Sequence, residues 1–327
     1  MLGDLPKLFD RTFAVGYLLP AAFGVLGIWF VLYEYGHADE RVINALAELD
    51  TAALAGLGIW LGAIFMLAIN FHLVRLLEGY PLMALYRGLD RIGTPFGKWF
   101  MRRLTKRFHR EAGQALHDQQ QIEQARTTGQ PLPEVPLDHP RRLWRVAETL
   151  PAAAINMLPT RFGNRFRAFE AYPTVVYGLD SIPAWPRLVA VMPEHFRKII
   201  ADAKAMLDFC VNMVLVGSCI VAVNIGCALY PLTQGGPAQW PMWRTLVLAV
   251  LTVALAYRLA LGAASQYGGV VRSAFDLYRF DLARALGLEM PVTAEEEREM
   301  WVTVSRMQIY RSPQRARDLD RFRRQSY

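Results

Sequence analysis

A chain of 327 residues is long enough for two ordinary domains, but its apolar residues, 53% of the total, gather in long blocks. That clustering excludes both an ordinary globular core and a disordered chain. The formal net charge is +7, and an excess of the same size falls in one internal segment between apolar blocks, which points to topology and membrane contact and away from nucleic acid.

The first block, "FAVGYLLPAAFGVLGIWFVLY" (Phe13 to Tyr33), holds no Asp, Glu, Lys or Arg. It predicts a spanning helix, because about 20 apolar residues cross the hydrocarbon layer of a bilayer. The block is too long for a signal peptide and ends on Tyr33 and Glu34, a poor cleavage site, so retention is expected. Pro20 inside it predicts a kink. The next stretch, Glu34 to Thr51, carries five acids and one base. A second span follows from Ala52 to Phe71, with Gly58 and Gly62 at G-x-x-x-G spacing and Asn70 near its end.

From Glu78 to Met206 there are 19 Lys and Arg against 12 Asp and Glu. Within this segment Trp99, Phe100, Leu104 and Phe108 form an apolar stripe surrounded by Lys98, Arg102, Arg103, Lys106, Arg107 and Arg110. Such a basic amphipathic helix suits anionic headgroups, or packing beneath a helix bundle. Pro131, Pro133 and Pro136 mark a linker, and a helix is expected from about Arg141 to Ala154 with Asp138 as its cap. The stretch "LPTRFGNRFRAFEAYPTVVYGLDSIPAWPRL" (Leu158 to Leu188) then crowds charges, aromatics, prolines and glycines together. A short helix from about Arg161 to Ala171 would let Arg167 and Glu170 pair. Buried charges need partners. The segment therefore predicts a paired network of Arg161, Asn164, Arg165, Arg167, Glu170, Tyr177, Asp180 and Arg187 between aromatic faces, with Asp180 capping the following helix.

The third span, Phe209 to Tyr230, contains Asn212 and Asn224 and a run of small residues, Ser218, Ala222 and Gly226, at intervals of four. Its Cys210, Cys219 and Cys227 are too widely spaced for a zinc framework and read as reduced packing residues. The fourth span runs from Thr245 to Tyr257 and on to Ala264, with Arg258 snorkelling near one end. It is expected to continue without a break to Leu288 as a stalk. Thr293 then opens an acid-rich helical turn, and the arginine-rich end carries no apolar stripe.

The "LPTRFGNRFRAFE", "YGLD" and "WPRL" pieces, with the earlier "LLEGYP" and the later "FDLYRFDLARALGLEMPVTAEEEREMW", resemble an uncharacterised family of bacterial four-span integral membrane proteins. That resemblance covers the whole chain after Ala52 and implies a bacterial envelope protein without an assigned activity. The expected fold is all-α: a polytopic membrane protein with four transmembrane helices and a helical cytoplasmic domain. Residues 1–77 would form the first helix pair, 78–206 the basic domain, 207–264 the second pair and 265–327 a helical tail. Because Lys and Arg concentrate in the middle segment and the tail, both are expected in the cytoplasm beneath the inner membrane, with both termini.

Neither a P-loop, HExxH, G-x-S-x-G nor a dinucleotide glycine pattern occurs, and the six histidines never fall at ligand spacing. An enzyme, a cofactor and a metal site are therefore not expected. The preferred function is an oligomeric membrane pore or channel with a cytoplasmic regulatory domain. Small-residue faces would join its copies, the acidic outer loop would attract cations, and Asn70, Asn212 and Asn224 would line water or bridge helices. The alternative is a membrane-anchored adaptor or signalling scaffold whose basic domain recruits a cytoplasmic protein. Expected partners are the bilayer, anionic lipid headgroups and further copies of the chain, with no nucleic acid.

Overall fold

The computed structural model describes residues 10–37, 49–92, 95–129, 138–236, 243–310 and 317–323. The expected acidic loop charges Asp39, Glu40, Arg41 and Glu48, the linker prolines Pro131, Pro133 and Pro136, and most of the arginine-rich end lie outside these residues. Among the described residues the chain is all-helical, without a strand, and four helices are long and apolar enough to cross a membrane. These are α1 (Arg11–Glu34), α2 (Leu49–Glu78), α8 (Glu194–Thr233) and α9 (Trp243–Ala285). Between them lie α3 (Tyr80–Arg91), α4 (Pro95–Thr128), α5 (His139–Thr149), α6 (Arg161–Tyr177) and α7 (Ser181–Val191); α10 (Ala294–Tyr310) follows.

The chain divides into two compact units, one of Met1–Leu77 with Ala201–Ala263, the other of Glu78–Ile200 with Ala264–Tyr327. At 40 and 43 residues, α8 and α9 are each about 60 Å long at 1.5 Å per residue, twice what a bilayer core requires. Each gives its apolar length to the first unit and the remainder to the second.

In the first unit α1 contains a π-helical turn, Ala14–Leu18, just ahead of Pro20. Proline has no N–H, so the carbonyl of Gly16, four residues back, loses its α-helical donor. Asn212 on α8 supplies a replacement, its Nδ2 donating to Gly16 O at 2.8 Å. The core here gathers Phe13, Tyr17, Ala21 and Ala63, with Ile59, Trp60 and Ile64 packed against it.

The second unit has a core of Met83, Leu104, Phe108, Ala112, Leu150, Met157 and Leu158. The largest fully buried side chain is Trp301 of α10. Leu104 and Phe108 of the predicted stripe are thus buried within the unit, while Trp99 stays half exposed. Helix α6 runs past Pro173 to Tyr177, six residues beyond the expected end at Ala171. It stops at Gly178, whose φ of +80° suits a residue without Cβ; Leu179 N then donates to Pro173 O, closing the turn. Helix α5 ends at Thr149, short of the expected Ala154, and α9 ends at Ala285.

Candidate functional site

Asp208, 4% exposed and one residue ahead of the third apolar block, accepts from Tyr17 Oη at 2.7 Å, Asn70 Nδ2 at 3.0 Å and Lys204 Nζ at 2.6 Å. One carboxylate therefore ties together α1, α2 and α8. Asn224, fully buried, donates to Thr245 Oγ1 of α9 and accepts from Tyr35 Oη at 3.2 Å. With Asn212 bonded to Gly16 O, each of Asn70, Asn212 and Asn224 bridges to another helix.

The expected small-residue faces divide differently. Close helix approach occurs at Gly24 against Val216, at Gly27 against Ile220 and at Gly217 against Val253 and Ala249. Gly62 lies near Ala21, with room for a methyl group, whereas a Cβ on Gly58 or Gly226 would meet open space. Ser218, Ala222 and Gly226 lie along an exposed strip of α8.

The Leu158 to Leu188 stretch acts as a set of clasps. Thr160 Oγ1 caps α6 by accepting from Gly163 N at 2.9 Å and donates to Glu78 O at 2.9 Å, and Gly163 sits so close to Glu78 O that a Cβ would collide with it. The fully buried Asn164 accepts from Leu158 N at 2.7 Å and donates to Leu158 O at 3.1 Å. Arg165 Nε donates to Ser265 Oγ at 3.0 Å. Arg167 lies 3.9 Å from Glu170 and over the ring of Tyr80. Asp180 caps α7 through Ile182 N, and its own N–H donates to Ser305 Oγ at 2.8 Å. Arg187 is exposed and bonds Pro183 O, and Arg161 is exposed as well.

An ion-pair cluster between aromatic faces does exist, but its charges come from the tail. Tyr172 and Tyr177 donate to Asp276 Oδ1 at 2.9 and 2.7 Å. Arg279 pairs with Glu297 at 2.8 Å, both side chains 15% exposed, and lies over the rings of Tyr177 and Phe280. Burial first, then the hydrogen bond to the Asp276 carboxylate, pushes the Tyr177 hydroxyl well above the usual phenol range, and Tyr172 is raised for the same reasons. Of this cluster, the sequence reading named Tyr177 alone. The signal it lacked was spatial, since roughly a hundred residues separate Asp276 from both tyrosines.

A cleft of about 970 Å³ lies in the second unit. Its walls hold Lys98, Arg102, Arg103, Lys106 and Arg110 from α4, Arg161 from the start of α6 and Tyr86 from α3. Arg107 also lines it but is bonded to Glu111 at 2.8 Å. The α4 cations were legible in the sequence as a basic face; the approach of Arg161 and Tyr86 was not. Among the described residues, no group of three His, Cys, Asp or Glu side chains is placed to hold a metal ion. Chemically, the cleft can bind an anion. Compared with protein-family models, with characterised proteins and with solved structures, the chain matches none.

Proposed function

We propose that the protein is a multi-pass protein of the bacterial inner membrane, with both termini and the basic unit on the cytoplasmic side. It works there as an anchored scaffold whose basic helical unit recruits a partner. Insertion is supported by the outward rows on the apolar helices: Leu54 is 68% exposed, Phe65 62%, Leu248 63% and Leu255 60%. Leaving such side chains in water costs about 25 cal/mol per Å² of apolar surface, and lipid removes that cost. Lys and Arg enrichment in the second unit sets its side by the positive-inside rule.

One observation carries the preference for a scaffold over a pore. Asn70, Asn212, Asn224 and Asp208 are committed to neighbouring helices, whereas the basic unit opens a charged cleft. Helix-bridging polar groups give a bundle its specificity and leave little to line a water path. An oligomeric pore is the second reading, favoured by the exposed strip of Ser218, Ala222 and Gly226 and by the buried oxygens of Asn70 and Asn212, whose Oδ1 atoms lack hydrogen-bond partners. Reconstitution into vesicles separates the two. A scaffold passes no ions above protein-free vesicles; a selective conductance abolished by Gly226→Leu would reverse the order.

A further inference from the structure

We propose that the cleft bounded by α3, α4 and the start of α6 is a binding site for paired phosphates, presented either by a bisphosphate lipid headgroup or by a free pyrophosphate-type anion. This deepens the scaffold reading and rests on it for the lipid source. Lys98, Arg102, Arg103, Lys106, Arg110 and Arg161 converge on this space, and none of them has an ion-pair partner among the described residues. The carboxylate among the lining residues, Glu111, is engaged by Arg107. Six like charges around one concavity repel until a multivalent anion enters. Guanidinium forks match phosphate oxygens geometrically, and four of the six cations are arginines.

Shape and aromatic placement narrow the ligand. At about 30 Å³ per water, the cleft holds roughly thirty waters, more than a single hydrated phosphate fills. A nucleobase would compete for aromatic faces already in use, since Tyr86 stacks one face on Phe100 at 3.5 Å and Arg103 lies 5.3 Å from the ring centre of Trp99. Arg161 distinguishes a built cleft from a merely basic helix. It stands on a separate element, at the positive end of α6, and lines the same space as the cations of α4.

The test uses the full chain in neutral detergent. Pyrophosphate binding is measured by calorimetry. Retention of cardiolipin, a bisphosphate lipid, is measured against phosphatidylcholine in mixed nanodiscs. Variants are the triple Arg102→Ala, Arg103→Ala, Arg110→Ala, the single Arg161→Ala, and the triple with Lys in place of Ala. Loss of about fivefold in affinity per cation removed is expected, hence about a hundredfold for the alanine triple and about fivefold for Arg161→Ala, with the lysine triple, which keeps the charge but loses the forks, falling between the parent and the alanine triple. Circular dichroism checks that each variant is folded; if the alanine triple is not, Arg161→Ala decides. Cardiolipin that competes with pyrophosphate, or that is retained alone and lost in the variants, assigns a headgroup; pyrophosphate binding without cardiolipin assigns a free phosphate. Absence of both, or binding unchanged in Arg161→Ala and in the folded triple, overturns the proposal. Failure of the scaffold reading shows up separately, as ion conductance.

Discussion

Asn164→Ala isolates the clasp at the start of α6. Asn164 is fully buried, and its carboxamide satisfies both the N–H and the C=O of Leu158, itself 4% exposed. Alanine would leave two backbone groups buried without partners, at about 1–3 kcal/mol each, because neither can turn to water. A loss of about 3–4 kcal/mol is therefore expected, within the 2–6 kcal/mol spanned by the two groups. Asn164→Asp keeps the acceptor for Leu158 N but sets a carboxylate against Leu158 O, so it should cost a similar amount. For a unit of this size each kcal/mol moves Tm by about 2–4 °C, giving a fall near 10 °C. Thermal unfolding in mild detergent, followed by circular dichroism, reads the shift. Melting of both variants within about 2 °C of the parent would refute the clasp and return Asn164 to an ordinary packing position.

Three further outcomes are expected. Gly217→Leu should destabilise the helix bundle by about 1–3 kcal/mol, since a Cβ there already meets Val253 Cγ2 at 2.7 Å, whereas Gly226→Leu should leave the fold untouched because its Cβ meets nothing; equal melting of the two would refute the packing. The folded-state elevation of the Tyr177 hydroxyl makes its stabilising contribution complete below the ordinary phenol pKa near 10 and lost as pH rises through the higher folded value, because the unfolded chain ionises first. Denaturant midpoints should therefore fall above about pH 10, less steeply in Tyr177→Phe, and identical slopes would exclude the linkage. In right-side-out vesicles of a variant lacking the three native cysteines, a cysteine at His37 or Gln234 should react with an impermeant maleimide and one at Gln120 should not. The reverse pattern would invert the topology.

Four helices of membrane length were legible because a spanning helix satisfies its own backbone and so needs only a local run of about 20 apolar residues. The capping role of Asp180 and the basic face of α4 were legible for the same reason, as both depend on neighbours within a few turns. What the sequence could not place were contacts between distant stretches. Asp208 stands one residue ahead of the third block, and only the approach of Tyr17 and Asn70, 191 and 138 residues away, makes it the buried tie of three helices. Pro20 announced a lost helical bond, but that Asn212 restores it depended on how α1 lies against α8. The G-x-x-x-G pair in α2 matched a packing pattern, while the close approaches formed at Gly24, Gly27 and Gly217, because a glycine acts only when another helix crosses it. The arginines of the Leu158 to Leu188 stretch raised the prospect of a charged network by composition. The part-buried pair formed between Arg279 and Glu297, in the tail, because burial of a charge is settled by which elements meet around it and not by the residues beside it in the chain.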